Sequence, residues 1–190
     1  MEKLDARKRY TQMMLKQSFL KLLQQKPVNR ITVKEVCALA QLNRATFYAH
    51  YSDCFALKES IENELMDEIA QVIEEHPLDL VQNGSSYPMI EHIFTILDNN
   101  KDICIALMGS NGDMGFVSRM EKMVADTVLR QLSGKFAAGN HDVEYVYAFC
   151  LNGCVGMIKA WLSSEHREST KHIAEPVSYT HLRAHETLAN

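Results

Sequence analysis

Apolar positions along this chain recur at spacings of three and four, and nowhere in the alternating rhythm of several strands, so the regular elements it predicts are helices. Leu15, Phe19, Leu22 and Leu23 stripe a first segment running from about Asp5 to Gln25, which Pro27 closes. A longer segment, from about Asp53 to Glu75, carries Leu57, Ile61, Leu65, Ile69 and Val72 on one face. Pro77 and the stretch Gln82 to Ser86 interrupt the pattern as a loop, and further helices are expected at about 88 to 98, 101 to 108, 114 to 133 and 142 to 165. Gly109, Gly112 and Gly115 punctuate a loop between the second and third of these.

Two more helix starts stand in quick succession between the first segment and the long one. At the first, Thr32 can cap and Glu35 stands three residues on as its reciprocal partner, with Ile31 and Val36 in the two staple positions. At the second, Asn43 can cap Arg44 to His50, with Leu42 and Phe47 as the staple. The first of these helices runs from about Val33 to Ala40, which leaves only Gln41 and Leu42 before the next cap. Two short helices joined so tightly must cross steeply, as a helix-turn-helix. The expected fold is therefore all-α: a three-helix head over residues 1–52, joined by the long fourth helix to a helical domain over 53–175. The last fifteen residues, Pro176 to Asn190, continue no apolar stripe, resemble a read-through peptide and are expected to lie outside the fold.

Composition narrows the class. With 46% hydrophobic and 23% charged residues in 190, the chain can bury a core and is neither fibrous nor disordered. Its longest apolar run is Ile103 to Met108 and its N-terminus is charged, so neither a membrane span nor a secretory signal is expected. Five scattered cysteines without a C-x-x-C suit a reducing cytoplasm. A net charge of −4 seems to speak against nucleic acid, but the charge is divided. Residues 1–50 hold ten Lys and Arg against three acids, a net +7, and the remaining 140 hold ten against 21, a net −11. Such a step suggests a basic, nucleic-acid-facing head on an acidic body, although a solvated basic helix surface would give the same count.

The second helix of the motif divides by face. Phe47 and Tyr51 point to the core, leaving Arg44, Ala45, Thr46, Tyr48 and His50 outside. Arg44 can bind guanine bidentately or hold a phosphate, Ala45 and Thr46 are small enough for close approach, and Tyr48 can donate to a phosphate. At the start of the first motif helix, Thr32 and the unbonded N–H groups make a ready anion site, with Lys34 on the same end. Arg7, Lys8 and Arg9 can form an arm or clamp beside it.

The string I-T-V-K-E-V-C-A-L-A-Q-L-N-R-A-T-F-Y-A-H-Y-S-D-C-F-A-L, from Ile31 to Leu57, resembles the TetR family of bacterial transcription regulators, a likeness that extends over roughly residues 8 to 70. The later stretch from Phe149 to Leu162 is similar to the C-terminal region of a subgroup common in Firmicutes. The resemblance implies DNA contacts from Thr32, Arg44, Ala45, Thr46, Tyr48 and His50, and a C-terminal part that dimerises and encloses an effector pocket. Two departures stand out. Gln41 replaces the usual turn glycine, at a cost for positive φ, and Cys54 replaces the usual lysine at the start of the fourth helix, removing one phosphate contact.

The body allows a separate argument for dimerisation. Gly153 and Gly156 sit in an otherwise apolar helix with Met157 and Trp161, and a helix-interior glycine costs roughly 1 kcal/mol against alanine unless a close neighbour offsets it. A partner helix across a two-fold axis is the preferred neighbour, and packing within one subunit is the alternative. Seven methionines after residue 60 suit an adaptable pocket lining or a loose core equally. Cys150 and Cys154, one turn apart, are expected to be inert buried residues. No nucleophile triad, H-E-x-x-H or carboxylate pair stands out, so no enzyme, cofactor or metal is called for.

The sequence therefore predicts a cytoplasmic homodimeric repressor that reads a pseudo-palindromic duplex DNA operator and is released by a small-molecule effector. The rival is an interaction module of the same fold, with weakened DNA binding, acting through a protein partner.

Overall fold

A computed structural model describes residues 2–75, 87–109, 111, 114–132, 141–164 and 166–177. All regular structure among them is helical: α1 (Glu2–Leu23), a 3-10 turn (Val28–Arg30), α2 (Val33–Ala40), α3 (Arg44–Tyr48), α4 (Cys54–Glu75), α5 (Tyr87–Asn99), α6 (Lys101–Met108), α7 (Met114–Leu132), α8 (His141–Ser163) and α9 (170–177). The chain divides into two compact units, Met1–Leu65 with Asp102–Phe116, and Met66–Lys101 with Val117–Asn190.

In the first unit, α1 buries Leu15, Phe19, Leu20 and Leu23, with Leu20 taking the place expected of Leu22, which is half-exposed. The chain leaves α1 through bonds from Gln25 N and Lys26 N to the Leu22 carbonyl, and Pro27 then leads into the 3-10 turn, which apolar periodicity does not announce. Ile31 and Val36 are both buried, as the staple requires. Helix α2 ends with Gln41 in the left-handed region at φ 55° and ψ 38°. The Leu42 N–H donates to the Cys37 carbonyl (2.9 Å) and the Gln41 N–H to that of Ala38 (3.3 Å), the paired bonds of a Schellman ending. The turn thus keeps glycine's geometry without a glycine. Helix α3 is shorter than expected: beyond Tyr48 the His50 N–H reaches back only three residues, to Phe47, so the last turn tightens.

Asp53 caps α4, its Oδ1 accepting from Ala56 N at 2.8 Å. Leu57, Ile61, Leu65, Ile69 and Val72 are all buried, as the stripe predicts. Less expected is a nearly buried ion pair on the same helix, Lys58 to Glu62 at 2.8 Å. Lys16 of α1 pairs with Glu64 of α4. Beyond α6, Gly109 allows a close approach, because a Cβ there would stand 2.6 Å from the Ile105 carbonyl oxygen. Asn111 Nδ2 then donates to the Gln24 carbonyl (3.2 Å), tying this segment to the end of α1. Gly115, expected in a loop, lies inside α7, and Gly112 falls outside the described residues.

In the second unit the core centres on Trp161. Its ring meets Phe94 of α5 edge-on with centroids 5.4 Å apart, and its Nε1 donates to the Glu168 carbonyl at 2.9 Å. Arg167 lies 5.8 Å over the same ring and bonds Asp98 at 3.1 Å. These contacts fasten α9, whose Ala174 and Val177 are buried. Helical structure therefore continues through Pro176 and Val177, two residues into the stretch expected to lie outside the fold, and 178–190, with His181 and His185, falls outside the described residues.

Candidate nucleic-acid interface

The capping residues decide which side chains α2 and α3 turn outward. At α2 the box is complete in both directions: Glu35 N donates to Thr32 Oγ1 (3.3 Å), while Thr32 N (3.0 Å) and Thr32 Oγ1 (2.8 Å) donate to Glu35 Oε2. The donors of Thr32 are therefore engaged by a carboxylate of its own helix. The other oxygen of that carboxylate accepts from Lys26 Nζ at 2.5 Å. Lys26 above all, then the Thr32 hydroxyl and N–H, bring the Glu35 pKa down from the usual 4.5 to about 2. Lys34 is exposed on the same helix.

At α3, Asn43 Oδ1 accepts from both Thr46 N (2.7 Å) and Thr46 Oγ1 (2.8 Å), which fixes the helix start. Thr46 is consequently half-buried, with its hydroxyl proton spent on the cap. Phe47 is fully buried, packs 5.9 Å from Tyr51 and meets Tyr48 edge-on at 5.7 Å, so Tyr48 is braced yet 57% exposed. Arg44 and Ala45 are exposed beside it, and His50 is half-buried against Tyr51, with ring centroids 6.2 Å apart.

The two cysteines of the motif are structural. Burial raises the Cys37 thiol pKa against the pull of Arg44, and the thiol donates to the Asn43 carbonyl at 3.8 Å. Cys54 is 5% exposed, and burial, then Asp53, pushes its pKa up to about 11, so the thiol stays neutral. The place of the family's lysine is thus filled by an apolar, inward residue.

On α8 the structure separates the residues expected at a dimer interface. Gly153 and Gly156 are exposed, and among the described residues a Cβ on either would meet nothing within 4 Å. Tyr145 (76% exposed), Phe149 (75%), Gly153, Gly156 and Ala160 follow each other at spacings of three and four, which places them on one face. Met157 is half-exposed. Trp161 is only 5% exposed and packs against Phe94, Arg167 and Glu168 of its own chain. Tyr145 had no signal in the sequence beyond helical spacing from Phe149. Cys154 is half-buried, and the side chain of Cys150 falls outside the described residues. Among the described residues no group of three or more His, Cys, Asp or Glu could hold a metal, and no helix is long and apolar enough to cross a membrane.

A head with two capped helices crossing through a Schellman turn is a helix-turn-helix, and comparisons with known proteins agree. Residues 84–180 match the TetR family model described as transcriptional regulator C-terminal region. The chain belongs to the TetR family of transcriptional regulators, proteins that regulate and are not enzymes. No curated protein sequence matches it. Among solved structures, it is similar to a TetR transcriptional regulator from Streptococcus agalactiae (TM-score 0.62, 20% identity, 92% of this chain and 95% of that one). The dihydroxyacetone kinase operon activator DhaS (0.61, 14%, 92% and 95%) and a TetR-family regulator from Streptomyces coelicolor (0.61, 15%, 94% and 85%) share the fold.

Proposed function

We propose that this chain is a cytoplasmic, homodimeric repressor that binds a pseudo-palindromic duplex operator and is released by a small-molecule effector. The observation that carries the reading is the outward face of α3, where Arg44, Ala45 and Tyr48 are exposed on a helix whose start is fixed by Asn43. Arg44 reads a base edge or holds a phosphate, Ala45 permits approach, and Tyr48 donates to the backbone. Lys34 and the N-terminal end of α2, which Thr32 caps, meet phosphate, and Thr46 and His50 shape the edges of the reading surface. Two copies joined through Gly153, Gly156 and Met157 of α8 would set the recognition helices about 34 to 36 Å apart, one helical turn of DNA. An effector bound in the C-terminal part would favour a dimer whose heads are wrongly spaced.

The test is binding to the promoter fragment of its own gene across a salt series. Sequence-selective binding with a steep salt slope supports the reading. Arg44→Ala and Tyr48→Phe at undiminished affinity would remove the assigned surface. The buried Cys54, which leaves the start of α4 without a cation, favours one second reading: a TetR-like module with weakened DNA binding that acts through a protein partner. Binding no tighter to the promoter than to random DNA would select it. Since DhaS, a protein of similar fold, is an operon activator, deleting the gene decides the sign: transcription of the target rises for a repressor and falls for an activator.

A further inference from the structure

Between Asp5 and Asp53 the chain has a single side-chain carboxylate, Glu35, and it stands at the start of α2 among the groups proposed to meet phosphate. Left bare, it would repel the DNA backbone at the point where Thr32 and Lys34 approach it. The box cannot dispense with this side chain, because Glu35 bonds both the N–H and the hydroxyl of Thr32. Lys26 lies nine residues earlier, across Pro27 and the 3-10 turn, and its ammonium donates to the Glu35 oxygen facing away from Thr32. With side-chain exposures of 27% and 42%, the two groups form a partly covered pair within a head that carries ten cations and three acids over residues 1–50.

We infer that Lys26 is a positioning residue for DNA: it neutralises and holds the one carboxylate of the reading surface, so that α2 presents Lys34 and the N-terminal end that Thr32 caps to phosphate without an opposing charge. This rests on the reading of the head as a duplex-DNA binder. Lys26 itself is spent on Glu35 and touches no phosphate. Its influence is carried through Glu35, and it is electrostatic, so it must be cancelled by removing the charge it balances.

The experiment measures binding of the full chain to a labelled mixed-sequence duplex by fluorescence anisotropy, since phosphate contacts need no operator. At about 50 mM salt, Lys26→Gln should bind roughly three- to tenfold more weakly than the parent, the difference shrinking below about twofold near 300 mM as the Debye length shortens. Glu35→Gln, which keeps the box because glutamine also serves at that position, should bind as tightly as the parent or tighter. The double variant K26Q/E35Q should bind within about twofold of Glu35→Gln, whereas loss of a direct phosphate contact would leave it as much weaker than Glu35→Gln as Lys26→Gln is than the parent. Independently of DNA, the Glu35 carboxyl should titrate above about 2 in Lys26→Gln, followed by NMR. The inference is overturned if Lys26→Gln binds like the parent, if the double variant falls as far below Glu35→Gln as Lys26→Gln falls below the parent, or if Glu35 still titrates near 2 without Lys26. Failure of the parent chain to bind any duplex overturns the DNA reading itself, and with it this role.

Discussion

The molecule turns two kinds of face outward. Helix α3 keeps its large apolar ring, Phe47, fully inside and leaves Arg44, Ala45 and Tyr48 outside. Helix α8 buries Trp161 but turns two other rings outward, exposing Tyr145 by 76% and Phe149 by 75% on the side where Gly153 and Gly156 lie bare. The first face suits a charged, hydrated partner, for which cations and small residues matter. The second has no favourable state in water and suits a surface like itself, because exposed contiguous apolar faces mark contacts with other chains. Sequence type alone does not separate them: both contain an aromatic next to small residues. What separates them is whether the local caps rotate the aromatic into the core.

Two phenylalanines put that contrast to its hardest test. Phe47→Ala empties a fully buried site and should destabilise the head by about 3–5 kcal/mol. Phe149→Ala should cost the isolated subunit under about 0.5 kcal/mol, as a substitution on an exposed face does. Denaturation measured over a range of protein concentrations distinguishes them: Phe47→Ala lowers the midpoint at every concentration, and Phe149→Ala removes its dependence on concentration. Equal losses at high dilution would mean that Phe149 is buried by its own chain.

A bulky residue at the bare glycine tests the same face more locally. Gly153→Leu should turn a dimer-sized species into a monomer in light scattering, because the close approach that glycine permits is lost while the subunit has room for the side chain. A dimer peak that survives the substitution would exclude Gly153 from the interface. On the other face, Arg44→Ala should weaken operator binding by about 1–3 kcal/mol, roughly ten- to a hundredfold, read by titration of the promoter fragment. Undiminished selectivity at every position of the operator would show that Arg44 reads no base.

The head was legible in the sequence because its signals are local. Thr32 and Glu35, Asn43 and Thr46, Ile31 and Val36 lie within five residues of one another, and each pair acts as its spacing requires. Four things escaped, because their partners are distant in sequence or their stripe is short. Lys26 meets Glu35 only after the chain has turned through Pro27, so helical periodicity cannot pair them. The packing of Trp161 on Phe94 escaped because an apolar helix gives no hint of which side its own chain covers, and Phe94 lies far away in sequence. Helix α9 is short, and its two most buried residues, Ala174 and Val177, make too small a stripe to register. The direction in which Cys54 faces was likewise invisible: its motif position matches a lysine, while its burial depends on the packing of α4.

The turn between the two motif helices offers a smaller and cleaner comparison. Gln41 is the one described non-glycine residue with positive φ. A side chain there costs roughly 1–2 kcal/mol in the left-handed region, while glycine loses more chain entropy on folding, roughly 0.5–1 kcal/mol, so the two terms partly offset. Gln41→Gly should therefore stabilise the head by up to about 1 kcal/mol, seen as a higher thermal midpoint. Destabilisation would mean that the Gln41 side chain contributes a contact worth more than its backbone strain.

The weakest effect is expected from pH, and its sign follows from Glu35. The folded carboxyl titrates near 2, below the usual 4.5, because Lys26 and Thr32 favour its charged form. Unfolded, it regains the usual value, so between about 4.5 and 2 the unfolded chain binds the proton and the folded chain does not. Stability from this group is thus fully present above about 4.5 and lost as pH falls toward 2. The carboxyl is half-exposed, and solvent and salt screen its pairing with Lys26, which keeps the effect small. Comparing acid unfolding of the parent with that of Glu35→Gln isolates it: the two curves should separate at neutral pH and converge below about pH 2. Because Gln preserves the box and removes only the charge, curves that never separate would reduce the Lys26 pair to an incidental surface contact, leaving Glu35 with the helix cap alone.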